Sequence, residues 1–312
     1  MDPALLDLAR SLGGVFSASD AARVGTPPRR LRTLTDRGEL VRVRARAYVL
    51  AEWWRAAAPH ERYRLEVLAV CRRRSGSAAS HHAGLAVHRL PLVDVDLRHI
   101  DLAADVVHAS GVIGVRVHPR PPGDRQVDVG GTRACSAATC IVQVAATTGL
   151  RAGVVAADTA LHRGWADPPA LHRAAATVAP RYGASAVAGL LDLADGRSES
   201  PGESLTRLVL RGAGLDAAPQ VRIRERGGRV VARVDLLVHG VVVVEFDGAV
   251  KYDGAGGREA LVREKRREDH LRRLGFEVVR LTWADLQDPA RVVGWVREAL
   301  ARAAARRPER RG

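Results

Sequence analysis

Cysteine is scarce in this chain of 312 residues, which has only Cys71, Cys135 and Cys140. These three residues form no CxxC pair and are odd in number, which argues against a disulfide framework and against a cysteine-rich zinc site. Cysteine usage of this kind is typical of a reducing compartment. We therefore expect a cytoplasmic protein.

Long apolar runs are also missing. No stretch approaches the roughly 18 apolar residues that a transmembrane helix needs. The first residues, MDPALLDLARSLGG, include Asp2 and Asp7 and contain no long apolar segment, which excludes an ordinary signal peptide. No membrane partner is predicted.

Lysine is the rarest of the charged residues. The chain has 49 lysine and arginine residues together, of which only Lys251 and Lys265 are lysines, and its formal net charge is +14. Such a surface attracts polyanions, and its long-range field favours nucleic acid over small acidic molecules as the partner. Because GC-rich coding also favours arginine, the charge supports the two explanations about equally.

The length and the composition predict an α+β protein of several domains. The polar linker GRSESPGES, residues 196–204, marks one boundary. We predict a winged helix-turn-helix over residues 1–50, an α+β region over 51–197 and a third domain over 198–312.

The first fifty residues carry the start and stop signals of three short helices. Ser19 is placed to cap a second helix over residues 20–24, and Thr26 with Pro27 starts a third helix that ends near Arg37. The segment LVRVRARAYVL then alternates as a two-stranded ribbon. Helix, turn, helix and wing therefore come one after another in the order of a winged helix-turn-helix.

Arginine is concentrated on this predicted module. Leu31 and Leu34 are expected to point inward on the third helix, which leaves its arginines in solvent, and the ribbon is expected to carry three more on one face. The predicted DNA contacts are Arg29, Arg30, Arg32, Arg37, Arg42, Arg44 and Arg46. The alternative is a solvated arginine face on a protein-binding module, and the order of the elements favours DNA.

The stretch GGVFSASDAARVGTPPRRLRTLTDRGELVRVRARAYVL resembles the amino-terminal domain of AbiEi-type abortive-infection antitoxins. In that family the domain is a winged helix that binds the promoter of its own operon. The resemblance implies DNA as a ligand and, if the chain is an antitoxin, a cognate toxin as a partner.

Residues 51–197 predict helices and short strands, among them HIDLAA, GVIGVRVHP and RQVDVGG. His81, His82 and His88 do not predict a metal site, because His82 and His88 lie on different helix faces and no nearby carboxylate completes a set. The order of elements is similar to that of the region after the winged helix in AbiEi-like proteins. The region could be a scaffold, a dimerisation surface or a second DNA contact.

Residues 198–312 predict the order α-β-β-β-α-β, with acids at particular places. Glu203 lies in the first turn of the opening helix, Asp235 lies late on the middle strand, and Glu245 and Asp247 end the strand VVVVEF. Alternation puts Glu245 and Asp247 on one side of the sheet, and a neighbouring strand about 5 Å away lets Asp235 approach them. Three carboxylates are therefore expected to converge.

Converging carboxylates are costly unless a cation lies between them, and hard oxygen ligands suit Mg²⁺ or Mn²⁺. Such an ion could activate a water and neutralise a phosphodiester, with Lys251 supplying a compact positive charge. The alternative is that Asp235 and Asp247 serve turns and Glu245 is a solvated strand end. Acids that close an apolar strand favour the site.

GESLTRLVLRGAGL, VARVDLLVHGVVVVEFDGAVKYDG and REKRREDHLRRLGFEVVRLTWADL resemble the very-short-patch-repair-like endonucleases of the PD-(D/E)XK superfamily. The resemblance implies a restriction-endonuclease-like core in which Asp235 and Glu245 are the principal metal ligands and Glu203 is an accessory acid. Asp247 stands where the superfamily has lysine, so Lys251 or Lys265 would replace that lysine. Lys265 and Glu268 share a helix face with Leu261 and are expected to look toward the sheet.

The sequence thus supports three hypotheses of function. The first is a metal-dependent DNA endonuclease targeted by the winged helix, which the acids Glu203, Asp235 and Glu245 favour. The second is a non-enzymatic antitoxin of the type IV, AbiEi-like kind, or a transcriptional regulator, with a degenerate nuclease fold, which Asp247 in place of lysine favours. The third is that the last domain is a protein-interaction platform.

Overall fold

The structure is a computed structural model that describes residues 1–74, 76–178, 183–225, 227–248 and 257–306. The chain divides into two units, Met1–Ala194 and Asp195–Gly312, which we call the amino-terminal and the carboxyl-terminal unit. Both units mix helices and sheets, as the predicted α+β class requires. None of the described helices is long and apolar enough to cross a bilayer.

The first fifty residues form three short helices and a three-stranded antiparallel sheet of order β1-β3-β2. The elements are α1 (Pro3–Ser11), β1 (Val15–Ser17), α2 (Ala18–Arg23), α3 (Pro28–Asp36), β2 (Leu40–Arg44) and β3 (Ala47–Leu50). Leu5, Phe16, Leu31, Leu34 and Leu50 are fully buried among them. Leu31 and Leu34 thus point inward, as the helical spacing predicts.

The helix α2 begins one residue after Ser17, so the prediction that Ser19 caps it is wrong. The Ser17 hydroxyl accepts a hydrogen bond from the Asp20 backbone N–H at 3.1 Å. The Asp20 carboxylate accepts one from the Ser17 backbone N–H at 2.8 Å. This reciprocal pair is a capping box, which satisfies two backbone donors at once and therefore outcompetes a cap at Ser19.

Asp20 is also an ion-pair partner of Arg72, whose Nε lies 3.1 Å from its carboxylate. Burial alone would raise the pKa of Asp20, but the hydrogen bonds from Arg72 and Ser17 outweigh it and lower the pKa below 3.8. We expect Asp20→Asn to reduce the free energy of unfolding by about 2 kcal/mol at pH 7, because bonds to an ionised partner are lost.

A carboxylate with a lowered pKa in the folded state stabilises the protein above its unfolded pKa and loses that effect as the pH falls through the folded value. The difference between wild type and Asp20→Asn should therefore be constant from pH 5 to 7 and shrink below pH 3.8. Urea unfolding of both proteins at several pH values measures it. A difference that did not change with pH would mean that the Asp20 charge contributes nothing.

The rest of the amino-terminal unit is built on a six-stranded sheet of order β6-β7-β5-β4-β9-β8. Its elements are α4 (Ala51–Ala56), α5 (Pro59–Arg73), β4 (Ala78–Ala79), α6 (His81–Val87), β5 (Ile100–Ala104), β6 (Ser110–Val112), β7 (Val115–Pro119), β8 (Val127–Val129), β9 (Thr132–Ala134), α7 (Ala137–Thr147), α8 (Leu150–His162), α9 (Pro168–Val178) and α10 (Ala184–Leu193). The three predicted strand segments are present. The helix α5 buries Leu65, Val67 and Val70 in a core that includes residues of both sheets.

The carboxyl-terminal unit has the predicted order of helix, three strands, helix and strand, and then one more helix. Its elements are α11 (Pro201–Gly212), β10 (Ala217–Arg224), β11 (Val230–Val238), β12 (Val242–Phe246), α12 (Gly257–Arg273), β13 (Glu277–Leu281), a short 3-10 helix (Asp285–Gln287) and α13 (Pro289–Arg306). The sheet order is β10-β11-β12-β13, in which the first three strands are antiparallel and β13 runs parallel to β12. The prediction missed α13, whose buried stripe of Val292, Val296, Ala299 and Ala303 recurs at helical spacing.

Candidate functional site

The arginines of α3 form an exposed basic face. Arg29, Arg30 and Arg32 on the helix and Arg37 at its end are all exposed, while Leu31 and Leu34 between them are buried. The pattern of the sequence predicts this division. The face is therefore free to meet a polyanion.

The ribbon arginines do not share one face, and this prediction is wrong for Arg44. Its Nη2 lies 2.6 Å from the Glu66 carboxylate of α5, and the guanidinium is only half exposed. The pairing of β2 with β3 shifts between Arg42 and Arg44, which breaks the alternation that the prediction assumed. Arg42 and Arg46 are exposed, so they can join the basic face while Arg44 fixes the ribbon to α5.

The predicted acids of β12 meet two arginines. The Glu245 side chain is buried and forms an ion pair with Arg267 of α12, and its carboxylate lies 3.7 Å from Arg280 of β13. Arg280 also lies 3.3 Å from the Asp247 carboxylate. Glu245 and Asp247 thus face the same side of the sheet, as alternation predicts, and parallel pairing sets Glu245 level with Arg280.

Asp235 lies beside Glu245, because the register pairs Leu236 with Val244 one residue further on. The Asp235 carboxylate accepts a hydrogen bond from the Phe246 backbone N–H at 2.9 Å. Burial raises the pKa of Asp235 to about 6, and the negative charges on Glu203 and Glu245 add to this rise. The carboxyl group is therefore in an environment that disfavours its charged form.

Glu203 is buried at the start of α11 and has local partners. Its carboxylate accepts hydrogen bonds from the Glu199 backbone N–H at 3.0 Å and from the Gln220 amide at 2.9 Å. The Ser200 hydroxyl caps the same helix by accepting from the Glu203 backbone N–H at 3.2 Å. Glu203 thus helps to hold the entry of α11 in place, in addition to its electrostatic effect on Asp235.

The two lysines do not enter the described acidic site. Lys251 lies outside the described residues, and the Lys265 side chain is exposed on α12. Arg267, two residues further along the helix, is the basic residue that reaches Glu245. Glu268 does turn toward the sheet, where its carboxylate lies 3.2 Å from the Arg280 Nε.

Residues 3–46 match the family of AbiEi antitoxin transcriptional regulators. The matched segment contains α1 to α3 and β2, and so it contains the whole exposed basic face of α3. This match supports a DNA-binding regulatory role. No curated protein matches the chain.

A third set of side chains corrects the prediction that no carboxylate lies near the histidines of residues 81–88. His81 meets Asp101 and His118, and their ligand atoms all lie within 4.8 Å of one another. Within the part of the chain that the structure describes, no other three His, Cys, Asp or Glu side chains come so close. His88 takes no part, because its Nε2 lies 2.8 Å from the Cys135 carbonyl oxygen.

Proposed function

We propose that the chain is a DNA-binding transcriptional regulator of the antitoxin kind, in which residues 1–50 act as a winged helix-turn-helix. The exposed arginine face on α3, inside the segment that matches the antitoxin regulators, carries this proposal. In this arrangement α3 lies in the major groove and the β2-β3 ribbon is the wing. A cognate toxin is the protein partner, and the cytoplasm is the compartment, that such a function implies.

The charge distribution supports α3 as the element that meets DNA. Arg29, Arg30 and Arg32 fall in its first turns, and the amino end of a helix adds a partial positive charge that favours phosphate. Leu31 and Leu34 fix the helix on the core, so the arginines approach DNA on a rigid element. A rigid basic face loses little side-chain freedom on binding, which raises affinity.

Replacing Arg29, Arg30 and Arg32 together by alanine tests the proposal. We expect affinity for a duplex from the region upstream of the protein's own gene to fall about 10- to 100-fold at physiological salt, because up to three phosphate or base contacts are lost. The slope of log affinity against log salt should become shallower by about 2 to 3. Fluorescence anisotropy with labelled duplex at several salt concentrations measures both quantities.

A matched control removes three other exposed arginines of the amino-terminal unit, Arg125, Arg163 and Arg173. It has the same net charge as the α3 variant, and we expect it to keep nearly full affinity. Equal losses in the two triple variants would show that only the net charge attracts DNA and would overturn the assignment of α3. Binding of the wild type to no duplex would overturn the regulator itself.

Metal-dependent cleavage of DNA is a second candidate, which the environment of Asp235 favours. The donors are hard carboxylate oxygens, and Asp235 lies in a buried, negatively charged setting that a cation would relieve. Asp235 and Glu245, with Glu203, would hold Mg²⁺ or Mn²⁺, and a bound ion would supply an activated water and charge neutralisation. Glu245 would first have to release Arg267, and this ion pair is the reason that we place regulation first.

Incubation of the full chain with supercoiled plasmid and Mg²⁺ or Mn²⁺ tests this candidate. Metal-dependent nicking that disappears in both Asp235→Asn and Glu245→Gln would establish the nuclease. Intact plasmid in every reaction, with duplex binding unchanged in the two variants, would leave the acids with a structural role. This result is independent of the α3 experiment.

A further inference from the structure

Three metal-binding side chains meet at the edge of the six-stranded sheet in the amino-terminal unit. His81 is the first residue of α6, Asp101 lies on β5 and His118 lies on the neighbouring parallel strand β7. The His118 Nε2 lies 2.6 Å from the Asp101 carboxylate, and the rings of His81 and His118 are 4.3 Å apart. The Ser80 backbone N–H donates to the Asp101 carbonyl at 3.0 Å, which holds the start of α6 against β5.

The backbone and the neighbours of His81 fix its ring in place. His81 has a φ of 49°, a left-handed conformation that is uncommon outside glycine. The buried Gln143 side chain accepts a hydrogen bond from the His81 backbone N–H at 2.9 Å, and the Ser80 hydroxyl lies 3.0 Å from Nδ1. With Nδ1 engaged, Nε2 is the nitrogen left to bind a ligand. A hydrogen bond to the second ring nitrogen is the usual way in which proteins orient a metal-binding histidine.

Asp101 brings a negative charge into this buried place. Its side chain is 4 % exposed, and its two oxygens face imidazoles, His118 on one side and His82 on the other, whose Nδ1 is 3.2 Å away. Burial, with a smaller contribution from the charge on His118, lowers the pKa of His81 to about 3. The His81 ring is therefore neutral at physiological pH, which is the form that binds a metal.

The cluster opens into a cavity. His81 and His118 line a space of about 520 Å³, together with Arg120, Gln143 and Thr147. The His118 side chain is 27 % exposed, so an ion can reach the cluster from solvent without rearrangement of the core. A ligand or a water in the cavity could complete the coordination sphere.

We propose that His81, Asp101 and His118 form a binding site for a divalent transition metal, with Zn²⁺ as the ion that the donor set suits best. Two imidazole nitrogens and one carboxylate oxygen are ligands that zinc accepts with one position left open. The ion exchanges the hydrogen bond between His118 and Asp101 for two coordinate bonds. His82 and Ser80 act as positioning residues, because they hold Asp101 and His81.

Metal binding to the full chain tests the site directly. The protein is stripped with a chelator and titrated with Zn²⁺ against a chromophoric competitor, and with Co²⁺ while visible absorption is recorded. We expect one ion per chain and a Co²⁺ spectrum of nitrogen and oxygen ligands without a thiolate charge-transfer band. A thiolate band would assign the ion to a cysteine and overturn the proposal.

Variants locate the ion and guard against a loss of folding. His118→Ala and Asp101→Asn should each weaken Zn²⁺ affinity at least 100-fold, while the exposed His172→Ala should leave it unchanged. Zn²⁺ should raise the melting temperature of wild type and of His172→Ala and should leave that of His118→Ala unaltered. The partly exposed His118 makes His118→Ala the safer variant for folding, which its circular dichroism checks. Equal Zn²⁺ affinity in wild type and His118→Ala would overturn the site.

Discussion

Replacing Arg267 by alanine is expected to lower the free energy of unfolding of the protein by about 3 kcal/mol, because it leaves the Glu245 carboxylate buried without its main partner. Glu245 is 6 % exposed, and its remaining ion-pair contact is to Arg280 at 3.7 Å. An uncompensated buried charge costs more than the pair contributes when it is intact. Urea unfolding of the full chain at pH 7 measures the loss.

The double variant Arg267→Ala, Glu245→Gln separates loss of a partner from loss of packing. If the buried charge causes the destabilisation, the second substitution should restore more than half of the lost stability, because a neutral amide is easier to bury. A double variant as unstable as Arg267→Ala alone would mean that the aliphatic part of Arg267 matters and the ion pair does not. Exposed Lys265→Ala is the matched control and should change stability by less than about 0.5 kcal/mol.

Gly183→Ala is expected to destabilise the protein by about 4 kcal/mol, since a steric clash adds to backbone strain. Gly183 precedes α10 with a φ of 77°, and a Cβ there would lie 2.2 Å from the Ala146 carbonyl oxygen of α7. The neighbour is backbone inside a helix, so it cannot turn away as a side chain could. Two helices would have to separate to admit one methyl group.

Gly164→Ala isolates the strain from the clash. Gly164 has a φ of 65°, and a Cβ there meets nothing within 4 Å. We expect a cost of about 1 kcal/mol, which is the left-handed backbone penalty alone. Thermal unfolding of both variants beside wild type gives the comparison. Similar losses in the two would show that α7 and α10 can move apart at little cost.

Local patterns in the sequence predict most of the elements. The apolar spacing of Leu31 and Leu34 placed the arginines of α3 on the outside, and the alternation VVVVEF placed Glu245 and Asp247 on one side of the sheet. Each of these features depends on residues close together in the chain, where the helix and strand periods act directly. The family match over residues 3–46 belongs to the same local level.

Partners distant in the chain were not predictable in this way. The sequence gives no local sign that Arg44 would turn to Glu66, because the shift in pairing between β2 and β3 reverses its expected side. Lys265 was expected at the acids on the strength of its rarity, but the angular position on α12 gives the contact to Arg267. A shift of two residues moves a side chain about 200° around a helix, so a small error in the facing decides which base meets the carboxylate.

The sequence by itself determined the α+β class, the basic amino-terminal segment and the positions of the acids along the chain, because composition and periodicity act over a few residues. Only the tertiary structure decided which charges neutralise one another. It placed arginine beside Glu245, and it brought Asp101 and His118 to His81 from strands that begin well beyond it in sequence. The physical reason is that hydrogen bonding and packing between strands set these distances, and no local pattern of residues encodes which strands become neighbours.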